Sequence, residues 1–166
     1  MLGHENPVIS NDARRAVCDI VWHEGRELGK SQGSGSLHSH GKSVLQVSMH
    51  DIKYRFTSVA PLLWQIAAAA SSSKRNKVTA ADHRLVAALS VLMYARNKRC
   101  NIIQTTIALL LHQNRLQKEG FSFLHRYGVS VHYNTMLVRL RAAEADVLSS
   151  IAAWKENMEE NEKVTL

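Results

Sequence analysis

The sequence predicts a mainly α protein: an irregular helical bundle with a helix-turn-helix-like unit near the C-terminal half and a flexible N-terminal linker. Three observations predict it. Proline occurs only at Pro7 and Pro61, while Ala and Leu are plentiful, a composition that favours helix. Apolar residues recur at three- and four-residue spacing in several segments. The stretch from Arg96 to Arg141 runs from a basic cluster through an apolar segment and a glycine corner into an amphipathic segment carrying arginines.

The elements follow in order. Residues 1–10 read as a loose end. Asn11 or Asp12 caps a helix over Ala13–Leu28, with Val17, Ile20, Val21 and Leu28 at helical spacing and Gly29 as its stop. Residues 30–43 are dominated by Gly and Ser, with Leu37 as the only sizeable apolar residue, and read as a flexible linker. Over 44–56, Ile52, Tyr54 and Phe56 alternate with Lys53 and Arg55. A strand fits that pattern but has no second strand to pair with, so an extended segment lying on helices is expected.

Pro61 opens a helix whose buried face is Leu62, Leu63 and Ile66. Residues 71–77 break it. Thr79, with Asp82 three residues on, begins the next helix, whose stripe is Leu85, Val86, Leu89, Leu92 and Met93 and which ends near Arg96. Asn101 caps a strongly apolar helix with Ile103, Ile107, Leu110 and Leu111 on its core face. A short helix is expected around Phe121–Tyr127, and Gly128 permits the following corner. The last helix starts near Asn134 or Thr135, carries Met136, Leu137, Leu140, Ala143, Val147, Leu148, Ile151 and Trp154, and gives way to a fraying acidic tail. The chain thus divides into an N-terminal segment with one helix (1–29), the linker (30–43), a helical domain (44–154) and the tail (155–166).

Charge is uneven along this plan. Residues 74–141 hold twelve Lys and Arg against Asp82 and Glu119, a net +10, and residues 142–166 hold two Lys against six acids. The basic region fits an anionic partner such as nucleic acid, and equally a solvated surface. In a helix-turn-helix the start of the second helix enters the major groove. Asn134, Thr135, Arg139 and Arg141 are the base-reading candidates, Lys98, Arg99, Arg115, Lys118 and Arg126 the phosphate-facing ones, and Arg96 a further DNA-binding candidate. The GVSVHYNT connection is about two residues longer than the usual turn of roughly three to four residues, and such a corner also fits an ordinary helix–loop–helix junction.

Other chemistries find little support. The phosphate-binding GxxxxGK[ST], the nucleophile elbow GxSxG and the zinc-binding HExxH are all missing, so no enzyme, catalytic residue or cofactor is expected. His38-x-His40 lacks further ligands, and no metal site is expected. Cys18 and Cys100 form no zinc or disulfide pattern, which points to a reducing compartment, nucleus or cytoplasm. Cys100 follows a basic cluster able to lower its pKa, and also fits a buried small hydrophobe. No apolar run is long enough for a transmembrane helix, so no membrane partner is expected.

From Pro61 to Glu144 the sequence resembles the N-terminal region of transposase-like proteins of mushroom-forming fungi, which are largely uncharacterised. The matching residues are Arg96, Arg99, Asn101, Gln104, Leu124, Gly128, Val129, Ser130, Tyr133 and Thr135. The resemblance covers about half the chain. It implies a mobile-element origin and a nuclear, DNA-associated role without a catalytic core, since the large nuclease-like domain of the longer family members has no counterpart here. Two other readings stay open: a protein-interaction or self-association module working through the long last helix and its acidic tail, and a non-functional fragment of a mobile-element gene. The arrangement of the arginines discriminates the DNA-associated reading from the protein-interaction one. A single exposed face favours nucleic acid, and a scattered set favours a protein partner.

Overall fold

The computed structural model describes residues 10–30, 36–39, 48–71 and 81–164. Among them are seven helices and no strand: α1 (Asn11–Leu28), α2 (Met49–Val59), α3 (Pro61–Ser71), α4 (Ala81–Arg96), α5 (Ile102–Gln113), α6 (Lys118–Arg126) and α7 (Tyr133–Val164). The mainly α fold is as the sequence predicts. The expectations for residues 1–9, for His40 and for Thr79 as a cap lie outside the described residues.

Two apolar clusters organise the bundle. The first gathers Leu28, Ile52, Phe56, Val86 and Leu89 from α1, α2 and α4 with Ile102 and Ile103 of α5. The second gathers Ala108 of α5, Phe121 of α6, Val131 of the α6–α7 connection and Met136 of α7. Helix α5 therefore joins the two, its first turn in one cluster and its middle in the other. That double burial is why a helix this apolar sits centrally.

α1 is capped by Ser10, whose hydroxyl accepts the Ala13 N–H at 3.2 Å. Only Gly25 and Leu28 of this helix are buried, and Val17 and Ile20, expected in the core, are exposed. Besides Leu28 in the first cluster it has a polar tie to the body: the Glu24 carboxylate accepts the Leu62 and Leu63 N–H groups at 3.0 and 2.8 Å. Glu24 thus satisfies two donors at the start of α3 that the proline-led first turn leaves unpaired.

α2 corrects the extended reading of residues 44–56 over its described part, 48–56; residues 44–47 lie outside the described residues. The Ser48 hydroxyl accepts the Asp51 N–H at 3.3 Å, and Asp51 lies in the first turn. Ile52 and Phe56 are buried at i, i+4, a spacing that period-two and helical patterns share. Tyr54 decides between them: it is exposed, whereas a strand would put it on the same face as Ile52 and Phe56.

The linker is also docked where it is described. Leu37 is fully buried, and its carbonyl accepts the Ile102 N–H at 2.9 Å. The Ser39 N–H donates to Asn101 Oδ1 at 3.3 Å. Asn101 occupies the N-cap position of α5 as expected, but its side chain makes no bond to the helix and serves the linker instead. The remaining linker residues, 31–35 and 40–43, lie outside the described residues.

In α4, Leu85, Val86, Leu89 and Met93 are buried as expected, but Leu92 is exposed. Ser90 and Tyr94 are buried instead, and at Tyr94 the α6–α7 connection approaches α4 from a second side. Gly128 packs there, its Cα neighbourhood facing Val91 and Tyr94. Likewise Leu110, expected in the α5 core, is exposed.

Two matching corners flank α6. After α5, Arg115 takes a left-handed φ of 61°, and the bonds Arg115 N–H to His112 O and Leu116 N–H to Leu111 O close the helix. After α6, Gly128 takes φ 71°, with Gly128 N–H to His125 O and Val129 N–H to Leu124 O. Both are Schellman caps. Leu116 and Phe121 stand at the staple positions around the α6 start, and Leu116 leans over Gly120, where an added Cβ would lie 2.7 Å from its Cδ1.

α7 runs through the expected acidic tail to Val164, 32 residues in all. The tail is rich in Glu, Lys and Asn and contains neither Gly nor Pro, so nothing in it stops a helix.

Candidate functional site

The sequence candidates do not form one surface. Arg96 is turned back on α1: its guanidinium lies 5.2 Å from the Trp22 ring centroid and crosses α1 at Gly25. Arg126 lies on the outer face of α6 beside Lys118 and Phe123. Thr135 and Arg139 are four residues apart and share one flank of α7, whereas Asn134 and Arg141, seven apart, share another. Two positions along a helix is about 160° of rotation, so Arg139 and Arg141 diverge. Between the flanks stands Val138, an exposed apolar residue where a reading helix would carry a donor. The connection from α6 to α7, residues 127–132, is pinned rather than open, because Ser130 and Val131 are buried.

Lys98 and Thr135 do come together. With Tyr94, Asn101, His125 and His132 they line a cavity of about 370 Å³ between the α4–α5 turn, the end of α6 and the start of α7. Lys98 Nζ sits 4.3 Å above the Tyr94 ring. The His125 and His132 rings meet edge to face at 5.7 Å. His125 Nδ1 donates to the Ser130 carbonyl at 3.2 Å, and His132 Nδ1 accepts the Asn134 N–H at 3.2 Å. No carboxylate lines this cavity. Sequence reasoning assigned Lys98 and Thr135 but not Asn101, His125 or His132 as a group. Nothing in their spacing announces that α4, α6 and α7 converge. Arg99, one residue beyond Lys98, is exposed.

Cys100 is buried behind the same turn. Burial pushes its thiol above the ordinary value, with Arg55 and Arg96 pulling the other way. The buried hydrophobe is therefore the reading that stands. Burial likewise raises the Tyr94 phenol. Tyr133 packs in the second cluster, edge to face with Phe121 at 5.4 Å, while Tyr127 is exposed and lies 5.0 Å from the exposed Phe123 ring.

The larger concavity is apolar. Leu109 and Leu110 of α5 face Leu140, Ala143, Val147 and Leu148 of α7 across a groove of about 780 Å³. Beyond Ala143 every described side chain of α7 is exposed, including Leu148 at 67%, Ile151 at 56% and Trp154 at 65%. α5 ends after 12 residues, or about 18 Å, and α7 runs on for about 48 Å, so its apolar stripe outlasts its neighbour.

Among the described residues no group of His, Cys, Asp and Glu is placed to hold a metal, and no helix is long and apolar enough to cross a membrane. His38 instead uses Nε2 on the Gly29 carbonyl at 2.9 Å. The sequence matches no protein-family model and no curated protein, and no solved structure matches the chain.

Proposed function

We propose that the chain is a protein-interaction module that receives an amphipathic helix on α7 and in the α5–α7 groove. One observation carries this: the α7 stripe continues past the described body, where every described side chain beyond Ala143 is exposed. Leu140, Val147 and Trp154 are spaced by seven, and Leu137, Ile151 and Met158 fall on the interleaved seven-residue series, interrupted only by Glu144. Alternating spacings of three and four are the pattern of a helix–helix seam. A solitary helix in water gains nothing from such a stripe, and contiguous exposed apolar surface of this kind marks interaction sites. The scattering of the arginines points the same way.

The test is molar mass by light scattering over a concentration series, with a synthetic peptide of residues 133–158 as an added ligand. The expected result is a mass above the 18.6 kDa of the monomer, or saturable peptide binding, with both lost in Leu148→Glu/Ile151→Glu while helicity stays unchanged. A monomer at about 100 µM that also ignores the peptide overturns the reading.

A second reading keeps the nucleic-acid association and transposon origin that the fungal resemblance implies. It is favoured by the outer face of α6, where the exposed Phe123 and Tyr127 rings stand beside Lys118 and Arg126. Aromatic faces with neighbouring cations suit stacked single-stranded bases better than base-edge reading in a groove. Loss of affinity for a labelled oligonucleotide in Phe123→Ala/Tyr127→Ala, with a steep salt dependence in the native chain, supports it. Equal affinity of the two proteins removes it.

A further inference from the structure

We infer that the cavity bounded by Lys98, Asn101, His132 and Thr135 is a phosphate-binding site. The inference rests on neither reading of function, because it uses no part of the apolar stripe and no aromatic pair on α6. Its strength lies in what the hydrogen bonds leave over. Asn101 is nine-tenths buried, and its Oδ1 is taken by the Ser39 N–H. The amide nitrogen is then the end left to donate into the cavity. His132 accepts the Asn134 N–H at Nδ1, so the proton of its neutral ring is on Nε2, a second donor. Thr135 supplies a hydroxyl, and Lys98 a cation held over Tyr94.

The start of α7 adds its positive end at Tyr133. His125 spends its Nδ1–H on Ser130, so its Nε2 donates only when the ring is protonated. Three or four donors, one fixed cation and no carboxylate describe a site for a tetrahedral oxyanion. The ionisable groups facing the two imidazoles are each other, Lys98 and the Tyr94 phenol, all lining the same cavity.

The phosphate has two sources: a free phosphate or nucleotide, or the backbone of a polynucleotide. The experiment titrates the full chain with inorganic phosphate, with sulfate and with a short single-stranded oligonucleotide, reading the Asn101 side-chain amide and the His125 and His132 ring resonances. Two near-isosteric variants accompany it. Asn101→Asp keeps the acceptor for Ser39 and turns the inward donor into an acceptor with charge. Thr135→Val removes the hydroxyl at an exposed position and keeps the site testable should Asn101→Asp not fold. The expected result is saturable binding with shifts at these three residues, weakened about tenfold in Asn101→Asp and several-fold in Thr135→Val. A stronger, variant-sensitive response to the oligonucleotide assigns the backbone as the source, and an equal response assigns free phosphate. Shifts that never saturate, or binding that folded variants leave unchanged, overturn the site.

Discussion

The two corners around α6 allow a matched test within one chain. Both close a helix with the same pair of bonds, and both need a left-handed residue, but one position holds Gly128 and the other Arg115. For a side-chain-bearing residue this conformation costs about 1–2 kcal/mol through contact of Cβ with the following carbonyl. Replacing Arg115 with Gly removes that strain but raises the entropy of the unfolded chain by about 0.4–1 kcal/mol. The net gain is therefore about 0.5–1 kcal/mol. Gly128→Ala takes the opposite path. It acquires the left-handed cost and regains the smaller entropy term. The new Cβ adds little further, standing 3.4 Å from Val91 Cγ1 and 3.7 Å from Tyr94 Cδ1, close to ordinary contact. Its loss is about 0.5–1.5 kcal/mol. Urea unfolding followed by far-UV circular dichroism resolves both, since about 1 kcal/mol moves the midpoint by about 0.5 M at a slope of roughly 2 kcal/mol per molar. A destabilising Arg115→Gly, or a neutral Gly128→Ala, refutes the assignment of these corners as left-handed caps.

Three further outcomes are expected. Gln104 is fully buried, and neither end of its amide has a hydrogen-bond partner, so Gln104→Met should raise stability by about 1–3 kcal/mol in the same urea assay. Glu24→Ala should lower it by about 1–2 kcal/mol, because α3 loses both bonds at its N-terminus; an unchanged midpoint would show that solvent serves α3 equally well. Cys100 and Tyr94 are held protonated by burial, so their stabilisation is complete below the ordinary thiol value of about 8.5 and falls as pH rises past it. In native conditions a thiol reagent should modify Cys18 alone, and a second fast-reacting thiol would contradict the burial of Cys100.

The sequence made the helices legible where apolar spacing and chain breakers agree. Pro61, Gly128 and the Leu85–Met93 stripe, Leu92 apart, stand where the sequence pattern puts them. It was less legible wherever a partner from far along the chain sets the environment. Leu37 reads as a lone apolar residue among Gly and Ser, yet it fills the first cluster and caps α5 through its carbonyl. Glu24 reads as a surface acid of α1, and only the approach of α3 makes it a cap. Arg55 reads as the polar half of an alternating pattern, yet it is buried with Nη2 on the Lys30 carbonyl at 2.7 Å. The arginine candidates scatter for two reasons. Spacing within α7 separates Arg139 from Arg141, and Trp22, more than seventy positions earlier, draws Arg96 away.

α7 shows how the two proposed surfaces remain separable. Its first turns are fixed by Met136 and Tyr133 against Phe121, and substitution of these packed residues disturbs the fold and the donor-lined cavity together. Truncating Phe121, fully buried at the centre of that cluster, should cost about 3–5 kcal/mol and blur both functions. From Val147 to Trp154 the side chains contribute almost nothing to the body, so charge introduced at Leu148 or Ile151 acts on association alone. Loss of partner binding in Leu148→Glu/Ile151→Glu should leave phosphate binding intact, and Thr135→Val should do the reverse. A variant at one end that abolishes both would mean that association orders the start of α7, and the two surfaces would then be one cooperative unit.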